Sequence, residues 1–165
     1  MRSRCRRLAL APLGREDMDG LLTAYLPEVS AATRMQLAAL AAGSVGRALH
    51  LAETGGVAAA ELVASLLEAL PDLSAAQVYE RLEKLGRTDE VFSSFMDMLR
   101  AELNAGVRGM ARGDGGRSRL FAERPVDALI EAWQAIGRIQ YETEELHLDR
   151  AQALAMSLNL LVRHT

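Results

Sequence analysis

The chain has 165 residues, half of them hydrophobic but only 4% aromatic, and its formal net charge at pH 7 is −3. This length allows one domain of ordinary size or two small ones. The charge excludes a general attraction to nucleic acid or to an anionic membrane. A core built from Ala, Leu, Val and Met favours helices, because the β-branched and aromatic residues typical of strands are few. We therefore expect an all-α protein.

The first predicted element is a short strand over residues 4–13. Arg alternates with Leu and Ala in this stretch, and Pro12 and Gly14 end the pattern. A single strand has no partner in an otherwise helical chain. We therefore expect the strand to be the remnant of a preceding domain, and the chain to be the C-terminal part of a longer protein.

Three short helical patterns follow and predict a small bundle over residues 14–55. Ser residues stand at the N-cap positions of the second and third, and Pro or Gly ends each pattern. A pair of glycines closes the third helix and is the predicted domain boundary. The patterns begin at Arg15, Ser30 and Ser44 and end before Pro27, Gly43 and Gly55-Gly56, in that order.

Residues 56–165 carry about five further helical patterns, which predict a second, larger bundle. Between the third and fourth patterns, residues 106–119 contain five glycines and four arginines. This composition predicts a break in the helix followed by a mobile loop. Trp133 falls at a helical position and is expected in the core. The predicted helices span residues 57–70, 75–85, 88–103, 125–140 and 149–162.

Single residues exclude several kinds of site. Lys84 is the only lysine and is followed by Leu and Gly, so the chain has no Gly-Lys-Ser/Thr phosphate loop. Cys5 is the only cysteine, which excludes an internal disulfide and a cysteine-based zinc site. No apolar run approaches a membrane helix or a signal peptide, so we expect a soluble, cytoplasmic protein.

The basic run from Arg2 to Arg7 has two interpretations from the local sequence alone. These arginines could solvate the edge of a strand. Alternatively, a guanidinium such as that of Arg4 could contact a phosphate on a neighbouring chain, because its planar fork grips two phosphoryl oxygens and keeps its charge. An arginine supplied in this way stabilises a phosphoryl group in transfer, an effect worth about 10³–10⁵ in rate. The local pattern does not choose between the two.

Three segments resemble the AAA+ sliding-clamp loaders. Ser3-Arg4-Cys5, followed by a Leu-x-Leu-x-Pro-Leu stretch, resembles the serine-arginine-cysteine motif of that family, whose arginine acts on ATP held by the adjacent subunit. The segment Gly43-Ser44-Val45-Gly46-Arg47-Ala48-Leu49 resembles the sensor-2 helix of the family's lid domain. Residues 146–154 resemble the last helix of the bacterial subunits' collar domain.

The resemblance implies a domain organisation. Residues 1–13 would be the remnant of the AAA+ ATPase domain, with its last strand. Residues 14–55 would form the lid domain, and residues 56–165 the helical collar domain through which the subunits assemble.

The sensor-2 segment departs from the pattern of the family's ATP-hydrolysing subunits, Gly-Ser-x-Arg-Asp-Ala. Gly46 stands where those subunits have arginine, and Arg47 stands where they have an acid. A glycine has no side chain that could reach a γ-phosphate. The resemblance therefore implies a subunit that binds no cofactor and helps an ATP-driven ring open the clamp.

Arg4 would act in trans as an arginine finger, with Ser3 and Cys5 as supporting residues of its motif. The ATP and Mg²⁺ would be held by neighbouring gamma/tau-type subunits. The other implied partners are the delta subunit and, through the whole complex, the sliding clamp and primed DNA. The delta subunit itself typically lacks the serine-arginine-cysteine motif, so Arg4 disfavours that identity.

Two alternatives remain open: a fragment of an ATP-hydrolysing gamma/tau subunit, or an unrelated helical adaptor whose basic N-terminus is a simple tail. A catalytic site within the chain is not indicated, because no Ser/His/Asp or Cys/His set clusters. His50, His147 and His164 lack the i, i+4 spacing of paired metal ligands, so no metal is expected. Exposed collar surface would also allow a non-physiological homodimer of the chain.

Overall fold

A computed structural model of the chain describes residues 11–83, 88–113 and 119–162, and these ranges are all-α. The predicted fold class is confirmed. Residues 4–10 of the predicted strand lie outside the described ranges, and residues 11–13 are irregular rather than extended into a strand. None of the described helices combines the length and the apolar character needed to cross a membrane.

The chain divides between Glu53 and Thr54 into two compact units, here called the N-terminal and C-terminal units. The predicted boundary at Gly55-Gly56 lies just beyond this division. Whether the two units are a lid and a collar domain stays a prediction.

The N-terminal unit is built from three helices that pack pairwise against one another. The helices are α1 (Arg15–Tyr25), α2 (Ala31–Ala41) and α3 (Val45–Glu53). Each contributes an apolar face to a shared core, made by Met18, Leu22, Leu37, Ala41, Ala48 and Leu51.

Two polar side chains hold the junction between α1 and α2. Ser30 caps α2, because its Oγ accepts from the N–H of Thr33 at 3.1 Å. Arg34 donates to the carbonyl oxygens of Val29 and, at 3.4 Å, of Leu26. The guanidinium thus ties the connection between α1 and α2 to the first turn of α2.

The α-helices of the C-terminal unit are α4 (Gly56–Ala69), α5 (Ala75–Glu83), α6 (Asp89–Arg112), α7 (Arg119–Glu123), α8 (Val126–Glu145) and α9 (Arg150–Val162). The long helix α6 is central: it packs against α4 and α8 and also contacts α7 and α9. Its side chains Phe95, Met96, Leu99 and Leu103 are fully buried.

The predicted break at Gly106 is wrong, since α6 continues to Arg112. Gly106 is a packing position. A Cβ built on it would lie only 2.2 Å from Cζ of Phe121, a buried residue of the unpredicted helix α7. Tertiary packing therefore overrides the low helix propensity of glycine. The helix ends instead at Gly113, whose φ of 79° is typical of a helix C-cap. Residues 114–118 of the predicted loop lie outside the described ranges.

Capping groups also fix the ends of α6 and α9. The Oγ1 of Thr88 accepts from the N–H of Val91 at 3.4 Å. Hydrogen bonds from the backbone N–H of Glu90 and from the Thr88 hydroxyl lower the pKa of the Glu90 carboxyl. At the other end of the unit, Arg124 donates to the carbonyl oxygens of Leu160 (3.2 Å) and Leu161, and its burial lowers its pKa.

Candidate functional site

The sensor-2-like residues lie where the chain passes from α2 into α3. Ala42 and Gly43 both have positive φ, 50° and 83°, and they reverse the chain direction. The N–H of Ser44 donates to the carbonyl of Ala41 at 3.1 Å. Glycine adopts this left-handed conformation at little cost, so the position of Gly43 in the motif has a clear local reason.

Gly43 is also the place where the segment before α1 contacts the turn. The N–H of Leu13 donates to the carbonyl of Gly43 at 3.0 Å. A Cβ on Gly43 would lie 2.6 Å from Cβ of Pro12 and 2.8 Å from N of Leu13. No side chain fits there. The turn therefore holds Pro12 and Leu13, the residues that lead into α1.

Ser44 fixes the start of α3. Its Oγ accepts from the N–H of Arg47 at 3.3 Å, and its carbonyl accepts from the N–H of Ala48 at 3.0 Å. Ala48 is fully buried and anchors the first turn in the core. This cap explains why a Gly-Ser pair begins the helix.

Gly46 and Arg47 lie on the outside of that first turn. Gly46 is exposed, and a Cβ built on it would meet nothing within 4 Å. Arg47 is exposed, and its side chain makes no hydrogen bond or ion pair with any described residue. The fold thus leaves room for a long side chain at position 46, where this sequence supplies none.

A cleft of about 720 Å³ opens beside the turn, between α1 and α2. Its walls are largely apolar, and Met35 and Leu13 are 58% and 40% exposed. Arg15 is its only basic lining residue. Such a cleft can accept apolar groups but is not a phosphate cradle. Its lining residues are Leu13, Arg15, Glu16, Met18, Asp19, Met35, Ala38, Ala39 and Gly43.

The structure brings together part of the predicted site. Gly43, Ser44, Gly46 and Arg47 share one turn, as their adjacency requires. The motif Ser3-Arg4-Cys5 lies outside the described residues, so the role of Arg4 stays a prediction. Among the residues that are described, no group of three or more His, Cys, Asp or Glu side chains is placed to hold a metal ion.

A polar cluster that the sequence pattern does not indicate lies between α6 and α8. The Arg100 guanidinium lies over the Trp133 ring, 5.0 Å from its centroid, and the Trp133 Nε1–H donates to the carbonyl of Arg100 at 3.1 Å. Arg100 donates to Oε1 of Gln140 at 3.3 Å, and Nε2 of this buried amide donates to Oδ1 of Asp97 at 3.0 Å. Trp133, expected in the core, is half-buried at the edge of a groove. The sequence signal for this cluster was Gln140, a glutamine at a core-facing position of α8. Its hydrogen-bond partners on α6 could not be identified without knowing that α8 packs against α6.

A scan against protein-family models, a search of curated proteins and a search of solved structures each found no match to this chain. The functional assignment therefore rests on the motifs and on the geometry of the turn that carries one of them.

Proposed function

We propose that this chain acts as a non-hydrolysing, delta-prime-type subunit of the bacterial DNA polymerase III clamp loader. This loader is a five-subunit ring that uses ATP to open the sliding clamp and place it on primed DNA. The observation that carries the proposal is the first turn of α3, where an exposed glycine occupies the position of the arginine found in the family's ATP-hydrolysing subunits.

The geometry of this turn supports the loss of ATP contact rather than a different fold. Ser44 caps α3 and Gly43 makes the turn, which is the local backbone that a sensor-2 helix would need. Space for a side chain at Gly46 is open. The group that would reach the γ-phosphate is absent from this position, because residue 46 is glycine.

Arg4 would then serve a neighbouring subunit. Its guanidinium would stabilise negative charge on the phosphoryl group transferred at an adjoining gamma/tau-type site. The turn at Gly43 holds the segment that follows the motif, through the Leu13–Gly43 hydrogen bond.

The order of the two units supports the same assignment. Three short helices precede a larger helical unit, which is the order that a lid and a collar domain would have. The larger unit would hold the chain in the ring by packing against the gamma/tau and delta subunits.

Two measurements test the proposal. Titration of Mg-ATP into the chain, followed by calorimetry, should give no heat of binding, and a measurable affinity would contradict the interpretation of Gly46. In size-exclusion chromatography the chain should co-elute with the gamma/tau and delta subunits. Failure to do so would favour the adaptor alternative.

A further inference from the structure

The corner between α8 and α9 carries three of the large apolar side chains that the C-terminal unit leaves exposed. Leu146 is 66% exposed, Leu148 49% and Met156 50%. Backbone hydrogen bonds fix this corner, because the N–H of Leu146 donates to the carbonyl of Glu142 at 3.0 Å and the N–H of Leu148 to that of Thr143 at 3.1 Å. The exposure of these side chains is therefore a property of the folded corner and not of a frayed helix end.

A groove of about 240 Å³ lies between the two helices at this corner and is here called the corner groove. Much of its wall is apolar, and Met156 supplies a flexible thioether that adapts to irregular apolar groups. The groove can therefore accept apolar side chains from outside the chain. Its lining residues are Ile139, Glu142, Thr143, Leu148, Asp149, Gln152, Ala153 and Met156.

The rim of the corner groove is acidic. Two of its lining residues are the carboxylates Glu142 and Asp149, and none of them is a lysine or arginine. The surrounding stretch, residues 142–149, contains four acids and likewise no lysine or arginine. The groove thus combines apolar walls with negative charge.

The cations nearest in the sequence do not pair with this rim. Arg138, the only basic residue of α8, lies one turn before Glu142 and forms no ion pair with it. Arg150, which begins α9, pairs instead with Asp89 of α6. Within the described ranges, Glu142 and Glu145 form no ion pair at all. Their charge is therefore open to a partner.

The sign of the charge selects the class of partner. Nucleic-acid phosphates and anionic lipid headgroups would be repelled by carboxylates. A helix with apolar residues on one face and lysine or arginine beside them would bury its apolar face in the groove and place its cations opposite the rim. Such a helix matches both properties of the surface.

We propose that the corner groove binds a basic amphipathic helix of another protein. Apolar side chains spaced at i, i+3 or i+4, and i+7 would pack against Leu148 and Met156, and the flanking cations would pair with Glu142 and Asp149. The contact is small, so the complex belongs to the transient class. The inference goes beyond the proposed function and does not depend on it, because the corner groove contains none of the residues of the α2–α3 turn.

Fluorescence anisotropy of a labelled peptide, titrated with the full chain, tests the inference. The probe is a Leu/Lys peptide of about 18 residues, with leucines at i, i+3, i+4 and i+7 so that one helical face is apolar. At about 0.15 M salt the wild type should bind it with a Kd of about 10–100 µM. Two comparison peptides should bind at least about 10-fold more weakly. One has the same residues in an order without an apolar face, and the other has glutamate in place of each lysine.

Substitutions locate the binding site. Met156→Lys places a cation on the apolar wall, and the double variant Glu142→Lys/Glu145→Lys reverses the charge of the rim. Each should raise Kd by more than about 10-fold. The control variants Ile130→Lys and Glu131→Lys make the same kinds of change at exposed positions near the start of α8, about 16 Å or more from Glu142 along the helix, and should bind like the wild type.

A wild type that does not bind the Leu/Lys peptide at about 1 mM would overturn the inference. Equal binding of the peptide without an apolar face would do the same, because it would show attraction by charge alone. Wild-type affinity in either groove variant, or a loss of affinity in the control variants, would place the peptide elsewhere and also overturn it.

Discussion

Replacing Gly43 by alanine should destabilise the N-terminal unit by roughly 2–4 kcal/mol. A residue with a Cβ pays about 1–2 kcal/mol for the left-handed conformation that Gly43 adopts at φ 83°. The new methyl group would also stand 2.6–2.9 Å from Pro12 and from the backbone of Leu13. Backbone atoms cannot rotate away from the methyl group as the end of a flexible side chain can. Pro12 and Leu13 would therefore have to shift as a whole. The Leu13–Gly43 hydrogen bond, worth about 0.5–1.5 kcal/mol net, would be lost.

Gly46→Ala is the matched control within the same motif. Position 46 is helical, and its Cβ would meet nothing within 4 Å. Alanine there should stabilise the unit by about 0.5–1 kcal/mol, because glycine is the poorer helix former. The two substitutions add the same methyl group three residues apart and should have opposite signs.

Urea unfolding followed by two probes distinguishes a loss of stability in the N-terminal unit from a loss of stability in the C-terminal unit. Far-UV circular dichroism reports on all helices, whereas the fluorescence of Trp133, the only tryptophan, reports on the C-terminal unit. Gly43→Ala should lower the midpoint of the dichroism component from α1–α3 and leave the fluorescence transition unchanged. Equal stability of the Gly43→Ala variant and the wild type would refute the reasoning about the turn.

Three further substitutions test the C-terminal unit. Gly106→Ala should lower the free energy of unfolding by about 1–3 kcal/mol, because the added methyl group overpacks against Phe121, and this is measured as a lower urea midpoint of Trp133 fluorescence. An unchanged midpoint would mean that the Phe121 ring moves to make room for the methyl group. Arg124→Met keeps most of the apolar volume but removes the donors to the last carbonyls of α9, and should cost about 1–3 kcal/mol in the same assay; equal stability would show that water replaces the guanidinium. Because the pKa of Glu90 is lowered in the folded state, its ionised carboxyl contributes stability above the ordinary value of 4.5, and this is lost as pH falls through the lower folded pKa. Glu90→Gln should therefore flatten the acid side of the plot of stability against pH, and a profile identical to that of the wild type would contradict the assignment.

Local signals in the sequence predicted much of the fold. The scarcity of aromatic and β-branched residues indicated helices, and the structure confirms an all-α fold over the residues that it describes. Ser30 and Ser44 were predicted as N-caps, and both accept backbone hydrogen bonds at the start of a helix. These predictions succeeded because a cap depends on residues only a few positions apart.

Long-range contacts explain what the sequence did not reveal. Gly106 looks like a helix breaker until the ring of Phe121 is placed against it. The pairing of Arg100 with Trp133 joins residues 33 positions apart, and it requires the packing of α6 on α8. Neither contact leaves a periodic pattern in the chain.

Part of the candidate site was predictable because caps and tight turns depend on residues that are close in the sequence. Gly43, Ser44, Gly46 and Arg47 are adjacent, so a local motif was enough to place them on one turn. The close approach of Pro12 to Gly43 was not predictable, because it depends on how the irregular segment 11–13 returns to the end of α2.

The central claim is that Arg4 completes an ATP site on another subunit. The most direct measurement is ATP hydrolysis by a reconstituted loader that contains either the full-length wild-type subunit or its Arg4→Ala variant, with clamp and primed DNA present. Turnover at the adjoining site should fall by about 10³-fold or more, while assembly is unchanged and Arg7→Ala, from the same basic run, hydrolyses ATP normally. Wild-type turnover in an assembled ring carrying Arg4→Ala would contradict the account.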